Sequence, residues 1–209
     1  MSDRFGDLIR DRSAVAGVAV DEALGEQLSA YLSLLSQWNR TINLTSFELD
    51  TPTPAAIDRL VIEPVLAARL VRPDDRLSID IGSGGGSPAI PLRLARPELE
   101  MVMVESRGRK AAFLREAARS LSLSNVHVEA TTFEALAASS SWAGRADLVT
   151  MRAVRPEASI WAAAKSVLRL TGRFLWFANI GETTNYHDDG FIIEDAVPPV
   201  IVLRIQGPS

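Results

Sequence analysis

The stretch SIDIGSGGGSPAIP, residues 78–91, decides the fold of this 209-residue chain. Glycine inside a regular element costs roughly 0.5–1 kcal/mol relative to alanine, so four glycines between positions 82 and 86 indicate a turn that needs bare backbone. The apolar run LSIDIG (77–82) leads into the glycines, and the helix-like SPAIPLRLARP follows them, with Pro88 and Pro91 suited to a first helical turn. A strand, a glycine-rich turn and a helix in this order predict the first βα unit of an open α/β sheet.

Strand and helix patterns alternate from this unit onward. Further strands are predicted at 100–105, 126–130, 147–151 and 173–178, and a final antiparallel pair at 190–197 and 200–206, joined at Pro198 and Pro199. One intervening helix is predicted to be capped by Ser106, and another to run from residue 156 to a stop at Thr171 and Gly172. The pattern predicts an α/β, Rossmann-like fold, with a mainly parallel twisted sheet and helices on both faces.

Residues 1–70 are predicted to form an N-terminal helical region packed on a main domain at 71–209. An apolar stripe at helical spacing predicts a helix over 21–39, capped by Asp21, with Trp38 at the end of the stripe as part of the core. A second helix is predicted from Ala55 to about Leu70, bent or split at Pro64.

Composition excludes several classes of protein. The chain has no cysteine, which rules out disulfides and cysteine nucleophiles and fits a cytoplasmic location. No apolar run is long enough for a bilayer span, and the N-terminal MSDRFGDLIRDR lacks the core of a secretory signal. The net charge of −4 leans against a large nucleic-acid surface. Arginine is strongly favoured over lysine, which suits phosphate recognition or reflects a coding bias.

The glycine spacing separates the candidate ligands. A dinucleotide site needs G-x-G-x-x-G, and Ser87 stands where its third glycine would fall. A P-loop is excluded because no Lys-Ser/Thr pair follows, and a turn without a ligand is the plain alternative. Glu105 ends the second strand as Asp80 ends the first, where a carboxylate can accept hydrogen bonds from ribose hydroxyls. The G-x-G-x-G spacing with this acid resembles the Rossmann-like methyltransferases that bind S-adenosylmethionine.

Four segments, taken together, resemble one family, the bacterial small-subunit rRNA guanine-N7 methyltransferases (RsmG, or glucose-inhibited division protein B). These segments, in the family's order, are WNRTINLTS (38–46), DIGSGGGSPAIPL (80–92), ESRGRKAAFL (105–114) and MRAV (151–154). The resemblance implies methylation of a guanine N7 in 16S rRNA, with S-adenosyl-L-methionine as cofactor. It implies 16S rRNA or the small ribosomal subunit as partner, with no membrane and no obligate protein partner.

The resemblance also implies which residues hold the cofactor. The glycines and Ser87 would surround its methionine part, Glu105 its ribose, and Thr132 and Phe133 its adenine, while Arg152 would lie beside cofactor and substrate. The cofactor-binding candidates are Asp80, Gly82, Gly84, Gly86, Ser87, Glu105, Thr132, Phe133 and Arg152. The substrate-facing candidates are Asn43, Arg109, Lys110 and Arg152.

The chain departs from the family at positions expected to face the substrate. Leu60, Glu63 and Pro64 replace a His, an Asp and a Ser, and Ala178 replaces a Lys at the end of the fifth strand. These changes leave two alternatives open. One is a diverged methyltransferase acting on another nucleic acid or a small molecule, and the other is a non-catalytic S-adenosylmethionine-binding protein.

The sequence assigns no catalytic residue and no metal site. Guanine N7 carries an in-plane lone pair and no proton, so its methylation needs no general base. His127 lies in a strand, where a structural role is expected. A metal site at His187, Asp188 and Asp189 is disfavoured, because adjacent side chains diverge and a third ligand is not evident.

Basic residues open the helix that follows the second strand. They form either an RNA-binding face or an ordinary solvated face. These residues are Arg107, Arg109, Lys110, Arg115 and Arg119.

Overall fold

The carboxyl ends of five parallel strands meet at one edge of a seven-stranded sheet. The computed structural model describes residues 4–155, 157–178, 190–197 and 199–206. The strands are β1 (Leu77–Ile81), β2 (Glu100–Val104), β3 (Val126–Glu129), β4 (Ala146–Arg152), β5 (Leu168–Phe177), β6 (Phe191–Val197) and β7 (Val200–Ile205). Their order is β3-β2-β1-β4-β5-β7-β6. The chain adds β2 and β3 on one side of β1 and then crosses to add β4 and β5 on the other side, so the strand order reverses between β1 and β4. Open α/β sheets place their ligands at this point.

The predicted Rossmann-like fold class is confirmed. Strands β1 to β5 are parallel, whereas β7 runs antiparallel to both β5 and β6. The predicted C-terminal hairpin is thus present, with its second strand inserted beside β5. Of the two prolines expected to join it, Pro198 lies outside the described residues.

Helices cover both faces of the sheet. They are α1 (Arg4–Ala16), α2 (Glu22–Asn39), α3 (Pro54–Ile57), α4 (Glu63–Ala67), α5 (Ala89–Ala95), α6 (Gly108–Ser120), α7 (Phe133–Ala137) and α8 (Ala158–Val167). Asp21 caps α2 as predicted, because its Oδ1 accepts from Leu24 N at 2.8 Å. None of the helices in the described part of the chain has the length and hydropathy that crossing a bilayer requires.

The helix predicted from Ala55 to Leu70 is divided. A π-helical turn, Asp58–Ile62, separates α3 from α4, and a 3-10 turn, Ala68–Leu70, follows. Pro64 lies in the first turn of α4, where its missing N–H is tolerated, and the change from π-helical to α-helical geometry comes just before it. A bend or split at this proline itself stays a prediction.

Two predicted element boundaries are wrong. Helix α6 begins at Gly108 and its N-cap is Arg107, so Ser106 does not cap it. Helix α8 ends at Val167, and β5 begins at Leu168 instead of at 173. A Cβ on Gly172 would lie 2.9 Å from Ala146 O, so this glycine permits a close approach of β5 to β4 and does not mark a helix stop.

Two hydrophobic clusters fill the space on either side of the sheet. The larger one joins the N-terminal helices, through residues such as Phe5 and Leu28, to sheet residues such as Met101 and Leu148. Trp38 packs at its margin, edge-to-face on Phe113 with ring centroids 5.8 Å apart. The N-terminal helices therefore share the core of the sheet, and a domain boundary at residue 70 stays a prediction.

The smaller cluster lies under α7 and α8 and is centred on Trp161. The ring centroid of Trp161 is 5.0 Å from that of Phe174 and 5.4 Å from that of Phe191, and the Trp161 side chain is 1% exposed. This ring therefore joins a helix, a parallel strand and the antiparallel hairpin.

We expect Trp161→Ala to lower the free energy of unfolding by about 3–5 kcal/mol, because it empties the centre of this cluster. Trp142→Ala is the control, since Trp142 is only partly buried, and its loss should stay near 1 kcal/mol. Urea unfolding of both variants measures the difference, and equal losses would contradict the central position of Trp161.

Candidate functional site

The turn between β1 and α5 adopts a backbone that side chains rarely allow. Gly82, Gly84 and Gly86 have φ values of +64°, +50° and +87°. A Cβ on Gly86 would lie 2.5 Å from Ile90 Cδ1, whereas a Cβ on Gly84 would meet no atom closer than 3.6 Å. Packing therefore demands glycine at position 86. At position 84 the backbone conformation demands it, and the space above stays open.

Glu105 anchors this turn from the neighbouring strand. Glu105 is the first residue after β2, and its carboxylate is buried. Oε2 accepts from Gly84 N at 3.0 Å, and Oε1 accepts from Arg107 N at 2.8 Å. Each oxygen keeps capacity for a further hydrogen bond. Glu105 thus holds the glycine turn and the start of α6 together, and the ribose contact assigned to it remains a prediction.

Asp80 lies beneath the turn and is fully buried. Its Oδ1 accepts from Thr150 Oγ1 at 2.6 Å, whereas Oδ2 is buried without a hydrogen-bond partner among the described residues. Burial raises the pKa of this carboxyl to about 6, against the hydrogen bond from Thr150. An acceptor without a donor therefore lies directly under the candidate site.

The N-terminal helices support the turn from the other side. Tyr31 of α2 donates its hydroxyl to Gly85 O at 2.7 Å, and Ser87 Oγ donates to Leu60 O at 2.8 Å. Asn39 Oδ1 accepts from the amides of Leu44 and Thr45. Sequence reasoning missed Tyr31 and Asn39, although Asn39 lies in the WNRTINLTS segment and Tyr31 is the one hydroxyl-bearing ring of the α2 stripe.

Two cavities open above the sheet edge and share Gly82 in their walls. The first, here called the Thr132 cavity, has a volume of about 350 Å³. The second, here called the Arg152 cavity, has a volume of about 400 Å³. The Thr132 cavity contains the predicted residues Gly82, Thr132 and Phe133, and the Arg152 cavity contains Gly82, Gly84, Ser87, Lys110 and Arg152.

Arg152 is buried in the wall of its cavity. Its Nη2 is 2.9 Å from Glu63 Oε2, and its Nη1 donates to Arg59 O and, at 3.3 Å, to Ser87 Oγ. The guanidinium carbon lies 4.5 Å from the centroid of the Phe177 ring. Burial lowers the pKa of Arg152 to about 10, which leaves it charged at neutral pH.

Several predicted residues lie elsewhere. Asp80, Gly86 and Glu105 support the turn without lining either cavity. Asn43 and Arg109 are exposed and also line neither cavity, so the structure does not bring them to the site.

The basic residues of α6 divide in the same way. Lys110 lines the Arg152 cavity, whereas Arg115 donates to Val128 O and Arg119 pairs with Glu116 at 2.6 Å. His127 is exposed on the edge strand β3, 3.6 Å from Glu100 Oε1, where no catalytic role is supported. The residues considered for a metal site, at 187–189, lie outside the described residues.

The four departures from the family differ in their positions. Leu60 lines the Arg152 cavity and makes that part of its wall apolar. Pro64 is buried in α4, and Ala178 packs into the cluster around Trp161. Glu63 pairs with Arg152 but lines neither cavity, so Leu60 is the one departure of the four that changes a cavity wall.

Sequence comparison relates the chain to known proteins. A family model described as GidB, rRNA small subunit methyltransferase G, matches residues 24–190. The ribosomal RNA small subunit methyltransferase G of Stenotrophomonas maltophilia (strain K279a) is 39% identical over 163 residues, which are 77% of this chain and 72% of that protein. The same-named protein of Xanthomonas axonopodis pv. citri (strain 306) is 37% identical over 159 residues, 75% of this chain and 70% of that protein.

Solved structures share the fold. A SAM dependent methyltransferase from Aquifex aeolicus superposes with a TM-score of 0.56 at 12% identity, covering 73% of this chain and 94% of that one. A ribosomal protein L11 methylase from Lactobacillus delbrueckii subsp. bulgaricus gives 0.55 at 13% identity, covering 69% and 77%. At these identities the likeness concerns the fold alone, and it agrees with the Rossmann-like assignment.

The buried Asp80 carboxyl should make stability depend on pH. Folding raises its pKa to about 6, so the folded chain binds this proton more tightly than the unfolded chain does. The free energy of unfolding should therefore fall as pH rises from about 4 through about 6, by roughly 3 kcal/mol from this group.

Asp80→Asn removes the titration and keeps an acceptor for Thr150. Relative to wild type, this variant should gain roughly 3 kcal/mol between pH 4 and pH 7, measured by urea unfolding. All other acids are common to both chains and cancel in the difference, so a difference that stays constant with pH would contradict the assignment.

Proposed function

The chain belongs to the rRNA small subunit methyltransferase G family, and from that premise we propose that it methylates N7 of a guanine in 16S rRNA. It is an S-adenosylmethionine-dependent methyltransferase. We infer a cytoplasmic location and either 16S rRNA or the small ribosomal subunit as its partner.

One observation carries the proposal: the Thr132 and Arg152 cavities share Gly82 in their walls, at the carboxyl edge of the sheet and beside the point between β1 and β4 where the strand order reverses. Two adjoining cavities suit a methyl donor and an acceptor that must meet. The cofactor supplies a methyl group on a sulfonium.

The residues present fit that cofactor. Asp80 Oδ2 has no hydrogen-bond partner among the described residues and lies next to the turn, and the open space at Gly84 gives a ligand access to bare backbone. Glu105 retains acceptor capacity for ribose hydroxyls beside the same turn. Thr132 and Phe133 line the cavity where an adenine would lie.

The chain's contribution to the chemistry is positioning. Guanine N7 attacks with an in-plane lone pair and loses no proton, so no side chain has to act as a general base. Holding two reactants in line supplies up to about 7–11 kcal/mol of the barrier in favourable cases. The rigid glycine turn, fixed by Glu105 and Tyr31, is the element that would hold the donor for that alignment.

The character of the Arg152 cavity favours RNA as acceptor. Arg59, Lys110 and Arg152 line it, and no carboxylate does among its described wall residues. Three cationic side chains in one wall suit a nucleotide better than the narrow apolar pocket expected for a small-molecule acceptor would. The two alternatives are a diverged methyltransferase that acts on another acceptor and a protein that binds S-adenosylmethionine without catalysis. Either would leave the N7-methylguanine content of 16S rRNA unchanged when the protein is absent.

We expect small-subunit rRNA from a strain that lacks this protein to lose one N7-methylguanine, because this chain is the proposed source of that methyl group. Borohydride and aniline cleavage of the rRNA maps the modification. Expression of the wild-type chain in the same strain should restore it. Identical cleavage patterns with and without the protein would overturn the proposed acceptor.

We expect Gly84→Val to abolish the thermal stabilisation by S-adenosylmethionine while the fold is kept. The wild-type chain should gain about 2.7 kcal/mol at a ligand concentration 100 times Kd. Gly144→Val is the matched control: Gly144 also has a positive φ, +64°, with open space around it, but it lies outside both cavities.

Both variants carry the same kind of backbone strain, so they should lose similar stability without ligand. Normal cofactor affinity in Gly84→Val would show that the glycine turn has been misassigned. Loss of affinity in both variants would point to global strain instead.

A further inference from the structure

One carboxylate oxygen holds two arginines at the wall of the Arg152 cavity. Glu63 Oε2 accepts from Arg152 Nη2 at 2.9 Å and from Arg59 Nη1 at 3.0 Å. Both arginines line the cavity, whereas Glu63 does not. The side chains of Arg59 and Glu63 are 19% and 20% exposed, so the pair is largely shielded from water.

This arrangement fixes groups that would otherwise move apart. Two guanidinium groups repel each other, and each long side chain carries about 2 kcal/mol of rotamer entropy. A shared carboxylate removes both obstacles. The ring of Phe177 and the hydroxyl of Ser87 complete the enclosure of Arg152.

The charged groups of the wall are all hydrogen-bond donors. Arg59, Lys110 and Arg152 can donate and cannot accept, and no carboxylate lies among the described wall residues. Guanine presents two acceptors, N7 and O6, along one edge, whereas adenine has an amino donor in place of O6. The cationic groups of the wall therefore match the O6 acceptor of guanine better than the amino donor of adenine.

We propose that Glu63 is a positioning residue that sets the guanidinium groups of Arg59 and Arg152 for recognition of guanine through O6, a role that rests on the proposed function. Donation to O6 leaves the neighbouring N7 uncovered for methyl transfer. Glu63 itself acts only through the two arginines.

The test compares two acceptors, each in small-subunit rRNA at the mapped position: guanine, and 2-aminopurine, which keeps N7 and lacks O6. The wild-type enzyme should prefer guanine by roughly 10–100-fold in kcat/KM, the range expected for one charged hydrogen bond. Glu63→Gln should reduce this preference to about threefold or less, through slower guanine methylation. Its stabilisation by S-adenosylmethionine should match that of wild type.

Asp58→Asn is the matched control. Asp58 lies one turn before Glu63, pairs with Arg12 through two hydrogen bonds of 2.8 Å, and lines neither cavity. It should keep the wild-type preference for guanine.

Arg59→Met is the second variant, because it leaves the buried pair of Glu63 and Arg152 intact and so protects the fold. It should lose the preference as Glu63→Gln does, and it decides the question if Glu63→Gln does not fold.

The inference is overturned if Glu63→Gln or Arg59→Met keeps the wild-type preference, or if activity on both acceptors falls by the same factor. It is also overturned if Asp58→Asn loses the preference as well, since that would indicate a general structural effect. A wild-type chain that forms no N7-methylguanine would instead overturn the proposed function itself, and this inference with it.

Discussion

The turn between β1 and α5 contains three glycines with positive φ, and the elements around the site are arranged to hold this turn in place. The glycines have no side chains that could fix the turn. Its position therefore depends on the hydroxyls of Ser83 and Ser87 and on hydrogen bonds with neighbouring elements. Glu105 supplies one from β2, and Tyr31 supplies another from α2. The N-terminal helices are therefore part of the site. Their packing into the same core as the sheet determines where the turn lies.

Local patterns were sufficient to predict the fold. The alternation of strands and helices and the glycine turn give the order of elements, and Asp21 marks the start of α2. The boundary of β5 was not predictable in this way. Residues 168–171 continue the composition of α8, and only the pairing of Leu168 with Ala146 makes them a strand. Similarly, serine is a residue type that often caps helices, which favoured Ser106. In the structure the Glu105 carboxylate binds the amide of Arg107, and α6 begins one residue later than a Ser106 cap would give.

The candidate site was predictable only in part, for a physical reason. Residues that follow parallel strands converge at one edge, so the convergence of Gly82, Thr132 and Arg152 follows from topology. Contacts that span distant segments leave no local pattern. The hydroxyl of Tyr31 reaches Gly85 across 54 residues, and Glu63 reaches Arg152 across 89. Asn39 and Asn43 lie in the same polar segment, and the sequence does not indicate which of them supports the site. In the structure, Asn39 Oδ1 accepts from two amides of the loop that leads to the cavity.

The net charge of −4 describes the whole surface and not the site. Most arginines of the chain are bound to carboxylates or carbonyls, as Arg119 is to Glu116 and Arg173 to Asp75. Arg59 and Arg152 are also paired, but their shared partner, Glu63, does not line the cavity. The carboxylate thus balances their charge while both arginines remain in the wall. An acidic protein can in this way present a cationic cavity to a polyanion, because local geometry outweighs the total charge at contact distance.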